Sequence, residues 1–172
     1  KKSCLYPDHL QTISYDLSVD NYDNDYLLAF LPVKCDGFVH SAGISITKPL
    51  QYQTAEIFLE TFSVNIISAM KLIALLTNRF NYGASIVFIS SVMGAVGQSA
   101  KLSYCASKGA ISSFTRSLAL ENTYKKIRVN SILPGVVKTP LFETLVDKLP
   151  YEGLENIYNQ HPLGLGEPAD IA

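Results

Sequence analysis

Apolar positions along this chain follow two patterns that alternate. Residues 84–91, "ASIVFISS", have an unbroken apolar centre from Ile86 to Ile89, as expected of a buried strand. Residues 127–135, "IRVNSILPG", read the same way. A shorter apolar run, Asp36 to His40 ("DGFVH"), breaks at Ala42-Gly43. His9 to Tyr15, with β-branched Thr12 and Ile13, reads as one more strand, ending at Asp16. Helical periods separate these runs. From Thr54 to Phe80 the residues Ile57, Phe58, Phe62, Ile66, Met70 and Ile73 recur mostly at three- and four-residue steps, and Gly83 is the expected stop. Leu102 to about Tyr124 reads as a second long helix. Tyr22–Leu31 reads as a shorter one, with Asp20 or Asn21 as its cap. Thr139–Leu149 and Gly153–His161 read as short helices on an excursion after the last strand.

Strands separated by helices require right-handed crossovers and a parallel sheet. Strands this apolar call for cover on both faces. The expected fold is therefore a doubly wound α/β sheet, Rossmann-like, with residues 1–172 forming one partial domain. Ligands of such sheets bind beyond the carboxyl ends of the strands. Small and polar residues collect at those ends here: Asp16, then Ser41-Ala42-Gly43, then Ser90-Ser91, then Pro134-Gly135. The helix after Ser91 carries Tyr104 and Lys108, four residues apart and so on one face. An ammonium one turn from a phenol favours the phenolate, and so lowers a pKa that is ordinarily about 10. That pairing suits proton exchange with a carbonyl or alcohol oxygen, and a Ser91 hydroxyl can stabilise a developing oxyanion.

Together these residues resemble the short-chain dehydrogenase/reductase family. Ser91, Tyr104 and Lys108 match its serine, its tyrosine thirteen residues on, and its lysine after three more residues. "SVNIISA" supplies Asn65 for the family's helix asparagine, and "HSAG", residues 40–43, stands at its "NNAG" turn. "PGVVKTP" matches its "PGxxxT" segment, and "EPADIA" its approach to the last helix. The resemblance implies hydride transfer between NAD or NADP and a ketone or secondary alcohol. It implies catalytic roles for Asn65, Ser91, Tyr104 and Lys108, with Asn65 holding a water linked to Lys108. It implies cofactor contacts from Ser41, Ala42, Gly43, Tyr104, Lys108, Pro134 and Gly135. Val137 and Thr139 would hold the carboxamide, and Asp16 and Leu17 would flank the adenine. The compact pattern is most similar to 3-oxoacyl-carrier-protein reductases; sugar, polyol and steroid dehydrogenases share the signature. The alternative is a non-catalytic relative that keeps the fold as a binding or scaffold module.

Two features depart from the family pattern. "HSAG" lacks both asparagines, and His40 reads as a strand-end residue bonded to backbone. No glycine-rich G-x-x-x-G-x-G turn occurs. With strand order 3-2-1-4-5-6, the strand ending at Asp16 would face two vacant positions, so the chain is expected to be part of a longer protein, with roughly fifty residues ahead of Lys1.

Composition adds bounds rather than chemistry. The chain is 48% apolar with a net charge of −1, which gives a packed core and no basic groove for nucleic acid or anionic membrane. Cys4, Cys35 and Cys105 have no metal-ligand spacing and suit a reducing, cytoplasmic setting. No apolar run reads as a membrane span. The two long helices read as too apolar for one buried stripe, with Ile67, Leu72, Leu75, Leu76, Ile111, Phe114, Leu118 and Leu120 in excess. The family pairs these helices across a two-fold axis, which implies a homodimer or homotetramer.

Overall fold

The three apolar runs pair into one parallel sheet of order β1-β2-β3: β1 (Cys35–His40), β2 (Phe80–Ile89) and β3 (Arg128–Ile132). Val39 lies beside Val87, and Ile86 beside Val129. The computed structural model describes residues 10–19, 21–147 and 149–172; Cys4, His9 and Asp20 fall outside the described residues. The helices are α1 (Asn24–Phe30), α2 (Ala55–Phe62), α3 (Ser68–Leu76), α4 (Met93–Val96), α5 (Leu102–Glu121), α6 (Pro140–Val146) and α7 (Tyr151–Asn159).

The core lies between the sheet and the long helices. Ile86 and Phe88 of β2 pack with Ala69, Ile73 and Leu76 of α3 and Ile111 of α5, all buried. Each large side chain in this layer contributes roughly 1.5–3 kcal/mol by leaving water. The other sheet face is more open, with Val39 65% exposed, so the cover expected on both faces is incomplete.

Several elements differ from the sequence pattern for identifiable reasons. Residues 10–16 form no strand, because no neighbouring strand among the described residues offers them a ladder. Helix α1 starts later than expected, capped by Asp23, whose carboxylate accepts from the Tyr26 N–H at 2.9 Å. The long helix begins at its Thr54 cap but ends at Leu76, not Phe80. Pairing with β1 captures Phe80: the Cys35 N–H donates to the Arg79 carbonyl at 2.8 Å, and Phe80 stands opposite Cys35. Gly83 therefore lies inside β2 and stops no helix.

A π-helical turn, Ser63–Ile67, interrupts the path from α2 to α3. Ala55–Leu76 as a whole is long and apolar enough to cross a membrane, contrary to the sequence reading. Here it is a core helix, with Thr61, Asn65 and Ser68 buried and hydrogen-bonded inside the protein. Much of the apparent apolar excess is core as well: Leu76, Ile111 and Leu118 are buried, while Leu59, Met70 and Leu120 face outward.

Candidate active site

The carboxyl end of β2 fixes the site. Beyond Ile89 the strand path continues, with the Ser90 N–H donating to Ile132 at 2.8 Å and the Val92 N–H to Pro134 at 3.1 Å. The Ser90 hydroxyl donates to the Lys108 carbonyl at 2.8 Å and so fastens α5 to the strand tip. Ser90 is thus a strand-end residue, as its position suggested. Ser91 is buried beside it and faces Tyr104.

Lys108 is 4% exposed, and its Nζ donates to the Ile89 carbonyl at 2.7 Å. Burial pushes its pKa down to about 8. Burial raises the Tyr104 pKa, and the hydrogen bond with Ser91 opposes that rise. This reverses the expectation that Lys108 holds the phenol low. The ammonium is committed to the Ile89 carbonyl, and the cost of burying a phenolate prevails.

Behind the lysine, Asn65 is fully buried in the π-helical turn. Its Oδ1 accepts from the Ile44 N–H at 2.8 Å, and its Nδ2 donates to the Ile44 carbonyl at 3.0 Å and to Ser107 Oγ at 2.9 Å. Ser107 donates in turn to the Tyr104 carbonyl at 2.8 Å. A Cβ added at Gly43 would lie 3.4 Å from Lys108 Nζ and 3.5 Å from Asn65 Oδ1. The turn after β1 thus packs against both groups at ordinary contact distance.

His40, at the end of β1, bonds Ser68 Oγ at 2.8 Å through Nε2, a side chain rather than the backbone partner expected. The Ser68 hydroxyl itself donates to the Val64 carbonyl at 2.6 Å. Nε2 is therefore the donor of the pair, and buried Nδ1 has no partner. Burial, and secondarily the Lys108 charge, hold the His40 pKa near about 4, so the ring is neutral.

Ser91, Tyr104 and Lys108 face a cavity of about 770 Å³. Of the sequence-derived residues, Ser41, Gly43, Ser91, Tyr104, Lys108, Pro134, Gly135, Val137 and Thr139 line it; Ala42, Asn65, Asp16 and Leu17 do not. Asp16 is exposed and accepts from the Ser18 N–H and hydroxyl at 2.8 and 2.7 Å. Thr139 caps α6, accepting from the Phe142 N–H at 3.4 Å.

Two contributors escaped the sequence reading. His161 accepts the Val136 N–H at 3.1 Å and packs on Gly135, tying the end of α7 to the turn that lines the cavity. Lys101 lines the cavity one turn before Tyr104. A lysine three residues before the tyrosine was the available signal for the second; nothing local marks the first.

Residues 30–172 match a family model described as enoyl-(acyl carrier protein) reductase. The chain is 37% identical over 153 residues to an NADP-dependent (R)-specific alcohol dehydrogenase of Lentilactobacillus kefiri, covering 84% of this chain and 58% of that protein. The crystal structure of a short chain dehydrogenase family protein from Francisella tularensis superposes with a TM-score of 0.86 at 31% identity, covering 92% of this chain and 69% of that one. A 4-hydroxyisoleucine dehydrogenase complexed with NADH superposes at 0.80 with 28% identity, covering 92% and 67%. The chain spans about half the length of the curated relatives it matches.

Proposed function

The chain belongs to the short-chain dehydrogenase/reductase family, and from that premise we propose that the intact protein interconverts a ketone and a secondary alcohol using NAD or NADP. The observation that carries this is the meeting of Ser91, Tyr104 and Lys108 on one cavity wall, with Asn65 buried behind them.

The residues present fit a nicotinamide cofactor. Gly43 leaves room beside Lys108, the Pro134-Gly135 turn lines the same cavity, and Lys108 has donors beyond the one used at Ile89. When bound, the cofactor supplies or accepts the hydride. Tyr104 gives its hydroxyl proton to the oxygen that gains charge, or takes one in the reverse direction. The Ser91 hydroxyl donates a hydrogen bond to that same oxygen, and the interaction strengthens as charge develops. Lys108, near neutrality between its protonation states, exchanges the proton that Tyr104 loses. Asn65 holds the Ile44 peptide and Ser107, which keeps the tyrosine helix at its distance from the turn after β1. Ser41, Ala42, Gly43, Val137 and Thr139 form the proposed nicotinamide-side contacts, and Asp16 and Leu17 the adenine-side contacts. Carrier-protein thioesters are one substrate class within this proposal.

Leu59, Met70 and Leu120 leave an apolar outer face on α2, α3 and α5, which supports pairing of two copies through these helices. The decisive assay follows NADH and NADPH consumption by the intact protein over a panel of ketones. Turnover that vanishes in Tyr104→Phe supports the proposal; no turnover with either cofactor overturns it. Light scattering of the same sample tests the dimer, which a monomer at micromolar concentration would exclude.

A further inference from the structure

Lys48, Lys101 and Lys108 line the cavity, and no aspartate, glutamate or arginine does so among the described residues. Lys108 is accounted for by its anchor on the sheet. Lys101 is not. It is only 8% exposed, and the bond recorded for its ammonium is to a neutral hydroxyl, Ser45 Oγ, at 2.8 Å. Burying an ammonium is costly unless an anion compensates, and a hydroxyl cannot neutralise it. Burial pushes its pKa down, and the neighbouring Cys105 offsets this only in part.

Its position is as telling as its burial. Lys101 lies one turn before Tyr104 and Lys108 one turn after, and each ammonium is 5.8 Å from the centre of the tyrosine ring. Lys108 is held at Ile89, the end of β2; Lys101 is held at Ser45, in the segment after β1. That segment is fixed to the turn before α5 by the Lys48 N–H, which donates to the Ala100 carbonyl at 2.8 Å. Ser45 and Lys101 thus form a braced pair of donors on the cavity wall that also carries the Tyr104 ring.

We propose that Lys101 and Ser45 form an anion subsite that receives a carboxylate of the substrate, so that the carbonyl compound reduced here is an oxo acid and the alcohol oxidised a hydroxy acid. The inference rests on the reading of this cavity as the substrate site. A carboxylate, singly charged, matches one ammonium and one hydroxyl; the second charge of a phosphate dianion would meet no further partner within the Lys101–Ser45 pair.

The test is calorimetric, on the intact protein with and without NADP⁺, using pyruvate, levulinate and their methyl esters. The wild type is expected to prefer each acid to its ester. In Lys101→Met that preference should fall about 10- to 100-fold, the loss of one charge-assisted hydrogen bond. Lys101→Arg should restore part of it, and Ser45→Ala should lose less. Equal affinity for acid and ester in the wild type, or an unchanged preference in a Lys101→Met protein that melts normally, overturns the subsite. If Lys101→Met does not fold, Lys101→Gln and the salt dependence of the wild-type preference decide in its place, and a preference indifferent to salt counts against the subsite. Turnover is read separately. A Lys101-dependent acid preference without turnover overturns the oxidoreductase reading alone, whereas turnover without an acid preference overturns the subsite alone.

Discussion

On the cavity wall made by the β2 tip and α5, Ser107 is fully buried and Lys108 4% exposed, and hydrogen bonds join both to other elements. The cavity's other lining segment runs through α6, and no residue described in α6, or in the α7 that follows it, is buried. The second wall is attached by a short parallel bridge between Val137 and Gly166, by His161 on Val136, and by an exposed Lys138–Glu167 ion pair. Satisfied buried polar groups fix one geometry, because any displacement leaves a donor or acceptor unpaired. Few buried contacts leave a segment near the low end of local stability. Proton-exchange chemistry needs the first property; accommodating different substrates suits the second.

The sharpest way to break this contrast is to remove one atom from the rigid wall. Tyr104→Phe deletes only the phenolic oxygen at a site otherwise held in place. The expected loss of turnover is about 10²–10⁴-fold, with cofactor affinity nearly unchanged. Steady-state kinetics and cofactor titration check it. A parallel loss of cofactor binding would mean that the hydroxyl holds the cofactor rather than exchanging the proton.

Acid titration probes the buried polar groups behind that wall through His40, at the end of β1. The folded pKa is about 4, below the ordinary value of 6.5, because burial disfavours the charged ring. The unfolded chain therefore takes up the proton first as pH falls. Stability is lost between about pH 6.5 and pH 4 and levels off below the folded pKa, a loss of about 3 kcal/mol at the acid end. His40→Asn should remove this part of the acid slope. Urea unfolding at neutral pH and near pH 4, on both proteins, measures it. Equal slopes would show that the ring is not held neutral.

Close packing at the α4–α5 contact gives the next effect. A Cβ on Gly94 would lie 2.7 Å from the Gly109 nitrogen and 2.7 Å from the Lys108 carbonyl carbon, both backbone atoms. Neither can swing aside, so Gly94→Ala must separate α4 from the helix carrying Tyr104 and Lys108. The expected cost is about 1–3 kcal/mol in thermal or urea unfolding, with turnover reduced as well. An unchanged melting curve would show that this wall yields more easily than its packing implies.

The contrast also sorts what could be read from the sequence. Ser91, Tyr104 and Lys108 lie on local features, a strand end and one helical turn, and the family's spacing singled them out there. Asn65 was legible only through family resemblance, since its partner Ile44 is 21 residues away. Lys101 bonds Ser45 across 56 residues and His161 reaches Val136 across 25, and no local pattern encodes such pairs. The strand expected at His9–Tyr15 shows the same limit, because a strand exists through its partner. The end of the long helix was misplaced because pairing of Phe80 with Cys35 overrides an unbroken apolar period. Even the excess apolar residues of α3 and α5 were half misread: Leu76, Ile111 and Leu118 lie in the core, which periodicity alone could not separate from an outer face.

The smallest expected effect lies on the loosely held wall and tests what holds it. The Lys138–Glu167 pair is short, 2.6 Å, but its side chains are 50% and 53% exposed. Water and salt screen such a pair, and ordering two long side chains offsets its attraction. Beside it run two backbone bonds, from the Lys138 N–H to the Gly166 carbonyl at 2.9 Å and from the Gly166 N–H to the Val136 carbonyl at 3.0 Å. These survive any change of the Lys138 side chain. Lys138→Ala should therefore leave the melting temperature and its salt dependence where they were. His161→Leu, which removes the acceptor for the Val136 N–H without breaking the backbone bridge, should raise KM more than it lowers kcat, because it frees the cavity turn without touching Tyr104. A marked loss of stability in Lys138→Ala, with no change in His161→Leu, would show that the ion pair holds this wall, and the contrast with the buried one would fail.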